Sequence, residues 1–154
     1  MVIEGEFQLG VAIQRAWDFL TDIQRVASCI PSCQKVEVMD DQNFALTINH
    51  KLGPISVTFE TETRFIELSP PRRVIASGRG KDTLMGSSFE LSNQMDLLPI
   101  TEKDTLVRYK ADVKISGRLA SLGQSLIKIV AQREVTKAVD FMREKLRGEM
   151  DEKL

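Results

Sequence analysis

The polar and apolar positions of this chain change period twice, and the two changes divide it into three parts. Val2 to Leu9 alternates, with Ile3, Phe7 and Leu9 on one parity, and predicts a strand. Ile13, Ala16, Trp17 and Leu20 then follow at i, i+3, i+4, i+7, the spacing of one helix face. Thr21 and Asp22 fit a cap between this helix and a second one running to about Cys29. Pro31 stops the second helix, because proline disfavours helix at the residue before it.

Period two then returns for six strands. Val36 and Val38 alternate with charge, and Phe44, Leu46 and Ile48 alternate with Ala45, Thr47 and Asn49. Gly53-Pro54 predicts a tight turn. Ile55, Val57, Phe59 and Phe65 share a parity in the next strand. After Pro70-Pro71 a strand passes through Val74 and Ala76 and ends near Gly78 and Gly80. Phe89, Leu91, Met95 and Leu97 share a parity in a strand closed by Pro99. In the last strand Val107, Tyr109, Ala111, Val113 and Ile115 face one way, and Arg108, Lys110, Asp112 and Lys114 the other. Such alternation predicts an antiparallel sheet with one dry and one wet face.

From about Leu119 the period is helical to the end, without proline. Leu119, Leu122, Leu126, Ile129 and Val130 make one stripe, and Val135, Ala138, Val139, Met142 and Leu146 a second. At about 100° per residue the two are out of phase by roughly 150°. Either the helix bends near Arg133-Glu134, or its halves face different partners. The expected fold is α+β: a seven-stranded curved antiparallel sheet, two short helices, and one long C-terminal helix covering the dry face.

Size and composition narrow the class. The 154 residues fit a single domain with a real core. With 21 Lys plus Arg against 22 Asp plus Glu, the near-neutral balance argues against nucleic-acid binding, which needs a cationic surface. No apolar run is long enough to span a membrane. The first residues carry Glu4 and Glu6 rather than a secretory signal, so the expected location is cytoplasmic. Cys29, Cys33 and His50 fall short of the four ligands a structural zinc wants, so no metal and no cofactor are expected.

Three local patterns resemble a known family. Ala16-Trp17-Asp18-Phe19-Leu20-Thr21-Asp22, followed by Cys29-Ile30-Pro31-Ser32-Cys33, resembles a first helix and a Cys-Ile-Pro-Gly-Cys element. Gly53-Pro54-Ile55 resembles a Gly-Pro-Ile turn, and Gly117-Arg118-Leu119-Ala120-Ser121-Leu122-Gly123 a Gly-Lys-Leu-Ala-x-Leu-Gly lead-in to the last helix. In this order they resemble the G subunit of the aerobic carbon monoxide dehydrogenase system, a family within the START-like, helix-grip superfamily. Ser32 departs from the usual glycine. Longer members carry a C-terminal extension tied to membrane association, whereas this chain ends in the polar Arg147 to Leu154. The resemblance implies a non-catalytic accessory protein that assists a molybdenum hydroxylase, with an apolar small molecule or lipid between sheet and helix. Peripheral contact with the inner face of a membrane belongs to the same implication.

On that expectation the dry parity supplies candidate ligand contacts. His50 continues Phe44, Leu46 and Ile48; Thr61 and Thr63 continue Val57 and Phe59; Ser87 and Asn93 share the parity of Phe89 and Met95; Tyr109 lies with Val107 and Ala111. Phe59, Phe89, Met95, Leu122, Leu126 and Ile129 would form apolar wall. An apolar pocket with a few convergent polar groups is the expected form of a small-molecule site. Each residue also has an ordinary reading: His50 as a strand-end residue, the threonines as good strand formers, the apolar residues as plain core. No Ser-His-Asp set or paired-carboxylate motif appears, and Gly78-Arg79-Gly80 is too short for a phosphate loop. The alternatives are an enzyme of the same fold, a cyclase, dehydratase or hydrolase using His50, Asn93 and Tyr109, or an assembly factor without a ligand.

Overall fold

A computed structural model describes residues 1–52, 54–82, 84 and 86–152. The expected turn at Gly53-Pro54 lies partly outside the described residues. In chain order the elements are β1 (Val2–Leu9), α1 (Ile13–Leu20), α2 (Ile23–Ala27), β2 (Cys33–Val38), β3 (Asn43–Leu52), β4 (Ile55–Ser69), β5 (Arg73–Asp82), β6 (Ser87–Thr101), β7 (Asp104–Ser116), a 3-10 turn (Arg118–Leu122) and α3 (Gln124–Glu152). The strands form one antiparallel sheet in the order β1-β7-β6-β5-β4-β3-β2. The expected α+β helix-grip architecture is the one observed.

Local chemistry explains most boundaries. The Asp22 side chain accepts from the Arg25 N–H and caps α2. The sheet register sets Ile3, Ala111, Asn93 and Ala76 side by side across β1, β7, β6 and β5, so the parities read from sequence share one inward face. Pro99 does not close its strand: β6 continues to Thr101 through a register shift just after the proline. Such an irregularity accommodates a residue with no N–H to give.

The long helix does not begin at Leu119. Gly117 and Gly123 have φ of 85° and 87°, in the left-handed region open to glycine. They bracket the 3-10 turn, and α3 starts only at Gln124. Gly117 is doubly constrained, since a Cβ there would stand 2.1 Å from the Gly86 carbonyl oxygen. Beyond Gly123 the covered positions are Ile127, Val130, Ala131, Glu134, Val135, Ala138, Val139, Met142, Leu146 and Glu149. These follow one another at three- and four-residue steps, so a single inward stripe runs the helix. The expected phase break near Arg133 came from centring the stripe on Leu126 and Ile129; Leu126 lies only at its margin, over the narrow cavity, and Ile129 lies off it, the two being 43 % and 47 % exposed.

Two apolar clusters lie beneath α3. The larger joins Leu9, Trp17, Phe19, Val74, Leu97 and Val107 to Ala138, Met142 and Leu146 on the second half of the helix. The smaller joins Val57, Phe59 and Leu119, with Ile48, Phe89 and Leu122 against it. The far half of α3 is also latched by polar contacts. Arg15 and Arg25 both reach Glu149, the former at 3.3 Å, Lys145 donates to the Ser28 hydroxyl, and Arg143 Nε donates to the Gln8 carbonyl at 3.0 Å.

Candidate functional site

Between the two clusters the inward face of the sheet is left partly uncovered. Tyr109, Ala111 and Val113 of β7, Leu91 and Asn93 of β6, Ala76 and Gly78 of β5, and Thr63 of β4 all point inward on interior strands, yet all are only half-buried. A sheet packed solidly against a helix would bury such positions. The accessible surface of the chain is 9318 Å², against about 7,800 Å² expected for a folded chain of 17.3 kDa. An incompletely closed interior adds surface in that direction. The floor of this chamber is shallow because its residues are small. Ala111 lies beside Asn93, Asn93 beside Ala76, and Gly78 between Leu91 and Thr63.

Two polar side chains stand on this floor without protein partners. Asn93 and Tyr109 occupy adjacent inward positions on paired strands, and neither side chain makes a hydrogen bond among the described residues. The Tyr109 ring lies against Phe7, with centroids 6.2 Å apart, and its edge fills the space over Gly5, where a Cβ would come within 2.6 Å of the hydroxyl. Burial pushes the Tyr109 hydroxyl above its ordinary range, so the phenol stays protonated at neutral pH and can donate a hydrogen bond. The Asn93 amide offers both a donor and an acceptor.

Beneath the first half of α3, beside the smaller cluster, lies a cavity of about 110 Å³. Its lining is His50, Val57, Phe59, Leu119, Leu122, Leu126, Ile127, Val130 and Ala131. That volume equals roughly four waters of liquid, room for a short stretch of hydrocarbon. Phe89 supports the wall through an edge-to-face contact with Phe59, centroids 4.9 Å apart at 82°. A larger hollow of about 870 Å³ lies on the opposite, outer face. Glu62, Arg64, Arg79, Glu90, Asp112 and Lys114 line it, with Thr63, Gly78 and Leu91 also bordering it, so an apolar guest there would have to desolvate charges. It is not the candidate site.

The structure therefore sorts the residues expected from sequence. His50, Phe59, Leu122 and Leu126 meet at the narrow cavity, with Phe89 behind Phe59. Asn93 and Tyr109 stand on the chamber floor. Thr61 is buried, and its hydroxyl donates to the Leu46 carbonyl at 2.7 Å, so it offers no free hydroxyl. Ser87 Oγ likewise accepts from the Leu119 N–H at 2.9 Å and positions the 3-10 turn. Met95 packs against the larger cluster rather than the narrow cavity. Ile129 lies off the inward stripe and does not line the cavity.

Sequence reasoning passed over Ile127, Ala131 and Glu134. Glu134 is a polar residue on the inward stripe, where its Oε1 accepts from the Ser32 N–H at 2.9 Å. This ties α3 to the turn after α2. Ser32 is not in the left-handed region, so the turn does not require glycine at that position. The thiols near it are not activated: desolvation raises both Cys29 and Cys33 above the ordinary thiol range. Among the described residues no group of three or more His, Cys, Asp or Glu is placed to hold a metal ion.

Against this geometry, a family model for the G subunit of carbon monoxide dehydrogenase (CoxG) matches residues 5–147. The chain belongs to that family. As a CoxG family member it also shares its fold with solved structures at low identity. A conserved protein from Geobacillus kaustophilus superposes with a TM-score of 0.88 at 16 % identity, covering 96 % of each chain. A START superfamily protein from Mycobacterium smegmatis gives 0.70 at 11 %, covering 94 % of this chain and 98 % of that one. The Zhui aromatase/cyclase from Streptomyces sp. R1128 gives 0.65 at 15 %, covering 94 % of each. These likenesses establish the START-like fold for this CoxG family member. No curated protein is matched by its sequence. No helix among its described residues is long and apolar enough to cross a membrane.

Proposed function

We propose that this chain is a non-catalytic carrier that holds an uncharged, mainly apolar small molecule or lipid in the chamber under α3, and that it assists a molybdenum hydroxylase of the carbon monoxide dehydrogenase type. The observation that carries the reading is the uncovered inward row between two packed clusters, with Asn93 and Tyr109 left without protein partners. Both side chains are half-buried, so their polar atoms are open to the chamber, and a bound head group would take the place of water at them. The hydrocarbon part of the ligand then extends along the sheet toward Phe59, Leu122 and Ile127.

Inward charge is sparse. Glu134 is engaged with the Ser32 N–H, so a neutral head carrying oxygen suits the floor better than a carboxylate or phosphate. An isoprenoid quinone meets these demands, and a carrier of that kind would connect electrons released by the hydroxylase to a membrane pool. The same features weigh against catalysis. The two thiols are raised rather than lowered, and the chamber floor offers an amide, a phenol and a hydroxyl instead of an acid–base pair.

The test is an equilibrium titration. A polarity-sensitive apolar fluorophore should bind the purified chain and be displaced by short-chain quinones, and Asn93→Leu should weaken the quinone more than the fluorophore. A chain that takes up neither molecule refutes the carrier reading.

A further inference from the structure

The outer face of the sheet carries a charge pattern that extends beyond what cross-strand pairing explains. The register lays its side chains out in rows across β7, β6, β5 and β4. One row reads Lys114, Glu90, Arg79, Glu62; the next reads Asp112, Ser92, Ser77, Arg64; the next reads Lys110, Gln94, Ile75, Glu67. Alternation in the first row has a local cause, because like charges directly opposite one another destabilise a sheet. The other two rows have no such cause. Asp112 and Arg64, like Lys110 and Glu67, are opposite in sign but stand three strands apart, about 14 Å, beyond the reach of an ion pair. Arg64, Glu67, Glu90, Lys110 and Lys114 are exposed and close no ion pair among the described residues. Asp112 has only the terminal ammonium of Met1, at 3.9 Å.

The rows complement one another when the face is set against a second copy of itself. Take a two-fold axis in the contact plane, parallel to the strands and between β5 and β6. It places β7 on β4 of the second copy and β6 on its β5. Lys114 then meets Glu62, Glu90 meets Arg79, Asp112 meets Arg64 and Lys110 meets Glu67, with Ser92 on Ser77 at the centre. One row further on, Asp96 meets Arg73. No like charges meet. A two-fold axis across the strands through the serines would instead set Lys110 on Lys114 and Arg73 on Lys81, so the pattern selects one axis. That axis keeps the strands of the two copies aligned, as in face-to-face sheet packing. A partner of one net sign would want a field of the other sign. Here the signs balance row by row, so the complement the face carries is itself. Four strands by nine residues cover roughly 600 Å² of each copy, at about 4.8 Å between strands and about 3.4 Å along them. Two copies then bury about 1,200 Å², just above the roughly 1,000 Å² that a specific contact clears. The outer hollow of about 870 Å³ lies over the same centre. It leaves room for charged side chains to span the roughly 10 Å between facing sheets and for trapped water.

We propose that the outer face of the sheet is an isologous contact with a second copy of this chain. Contacts of Asp112 with Arg64, Lys114 with Glu62, Glu90 with Arg79 and Lys110 with Glu67 close it, each occurring twice by symmetry. Exposed ion pairs are individually weak, so the dimer is reversible and sensitive to salt. Both α3 helices and both chambers face away from the contact. Dimerisation and ligand uptake are therefore independent, and the contact does not rest on the carrier reading.

The experiment is sedimentation equilibrium of the full chain from micromolar to millimolar concentration. It is run at about 0.1 M and about 1 M salt, where charges are screened over about 10 Å and 3 Å. At low salt a species of twice the 17.3 kDa chain should form, and high salt should weaken it at least tenfold. Arg64→Glu and Asp112→Arg should each weaken the dimer at least tenfold, since every dimer then carries two like-charge contacts. Mixed together, the two variants should dimerise as the native chain does, because each supplies the charge the other lacks. The double variant Arg64→Glu with Asp112→Arg exchanges the two signs within one chain and should dimerise too. All variants should retain native circular dichroism and native uptake of the apolar fluorophore. If a substitution at this central pair unfolds the chain, Lys110→Glu and Glu67→Lys make the same test. A native chain that stays monomeric to millimolar concentration at low salt overturns the proposal. So does a dimer that ignores Arg64→Glu, or a pair of variants that stay apart when mixed. Dimerisation by a chain that takes up no fluorophore keeps the contact and removes the carrier reading, so the two failures are distinguishable.

Discussion

Replacing Ala111 by leucine separates an open chamber from a solid core, because the two arrangements respond with opposite signs. Ala111 is half-buried, points inward, and lies between Ile3 and Asn93 in the sheet. Leucine adds three carbons. If these enter unfilled space, burial at about 0.8 kcal/mol per CH₂ would contribute up to about 2.4 kcal/mol, and about half that at a half-covered position. If the space is already filled, overpacking costs about 1–3 kcal/mol. The outcomes therefore differ by roughly 2–4 kcal/mol, and each kcal/mol moves the Tm of a chain of this size by about 2–4 °C. Trp17 lies in the larger cluster and reports urea unfolding independently of the chamber. The expected result is unchanged or higher stability together with at least tenfold weaker uptake of the apolar fluorophore. A loss of more than about 1 kcal/mol without any change in uptake would refute the chamber.

Two further outcomes follow from named contacts. Tyr109 is the sole tyrosine, so tyrosinate absorbance reads it alone. Burial disfavours the phenolate, so the midpoint in the folded chain should lie above the ordinary value of about 10 and fall back to it in urea. Since the unfolded chain ionises first, stability from this source is intact below pH 10 and declines as pH rises toward the folded midpoint. A folded midpoint at or below the unfolded one would place the hydroxyl in water. Glu134→Ala removes the acceptor for the Ser32 N–H and should cost about 1–3 kcal/mol by urea denaturation, whereas Glu134→Gln keeps an acceptor oxygen and should recover most of it. Equal losses for the two variants would show that the contact does not act through that hydrogen bond.

The strand parities could be read from the chain because most inward residues of β4, β6 and β7 are followed by a residue that favours water, as from Val57 to Arg64 and from Val107 to Lys114. That sufficed to place Asn93 and Tyr109 on the inward face. What could not be read was the space above them. It exists because Ala111 of β7 and Ala76 and Gly78 of β5 flank Asn93 and Leu91 of β6, and only the pairing register creates that coincidence. The helix was misphased for a local reason: Gly117 and Gly123 insert a 3-10 turn, so periodicity counted from Leu119 carries no phase past Gly123. An apolar count also rejects Glu134, although the hydrogen bond it accepts from the Ser32 N–H lets it occupy the inward stripe. Thr61 lies on the inward parity, but its hydroxyl donates to the Leu46 carbonyl on the adjacent strand, a partner that periodicity does not reveal.

The central claim is that the chamber is a place for a ligand. Native mass spectrometry of the chain purified without detergent from its own source tests this most directly. The account predicts a species heavier than the 17.3 kDa chain by the mass of one small lipid. It should be released on denaturation, extracted into organic solvent as a neutral oxygen-bearing isoprenoid or similar molecule, and diminished in Ala111→Leu. A spectrum containing only the bare chain, from protein that also fails to take up quinone or the apolar fluorophore, would contradict it.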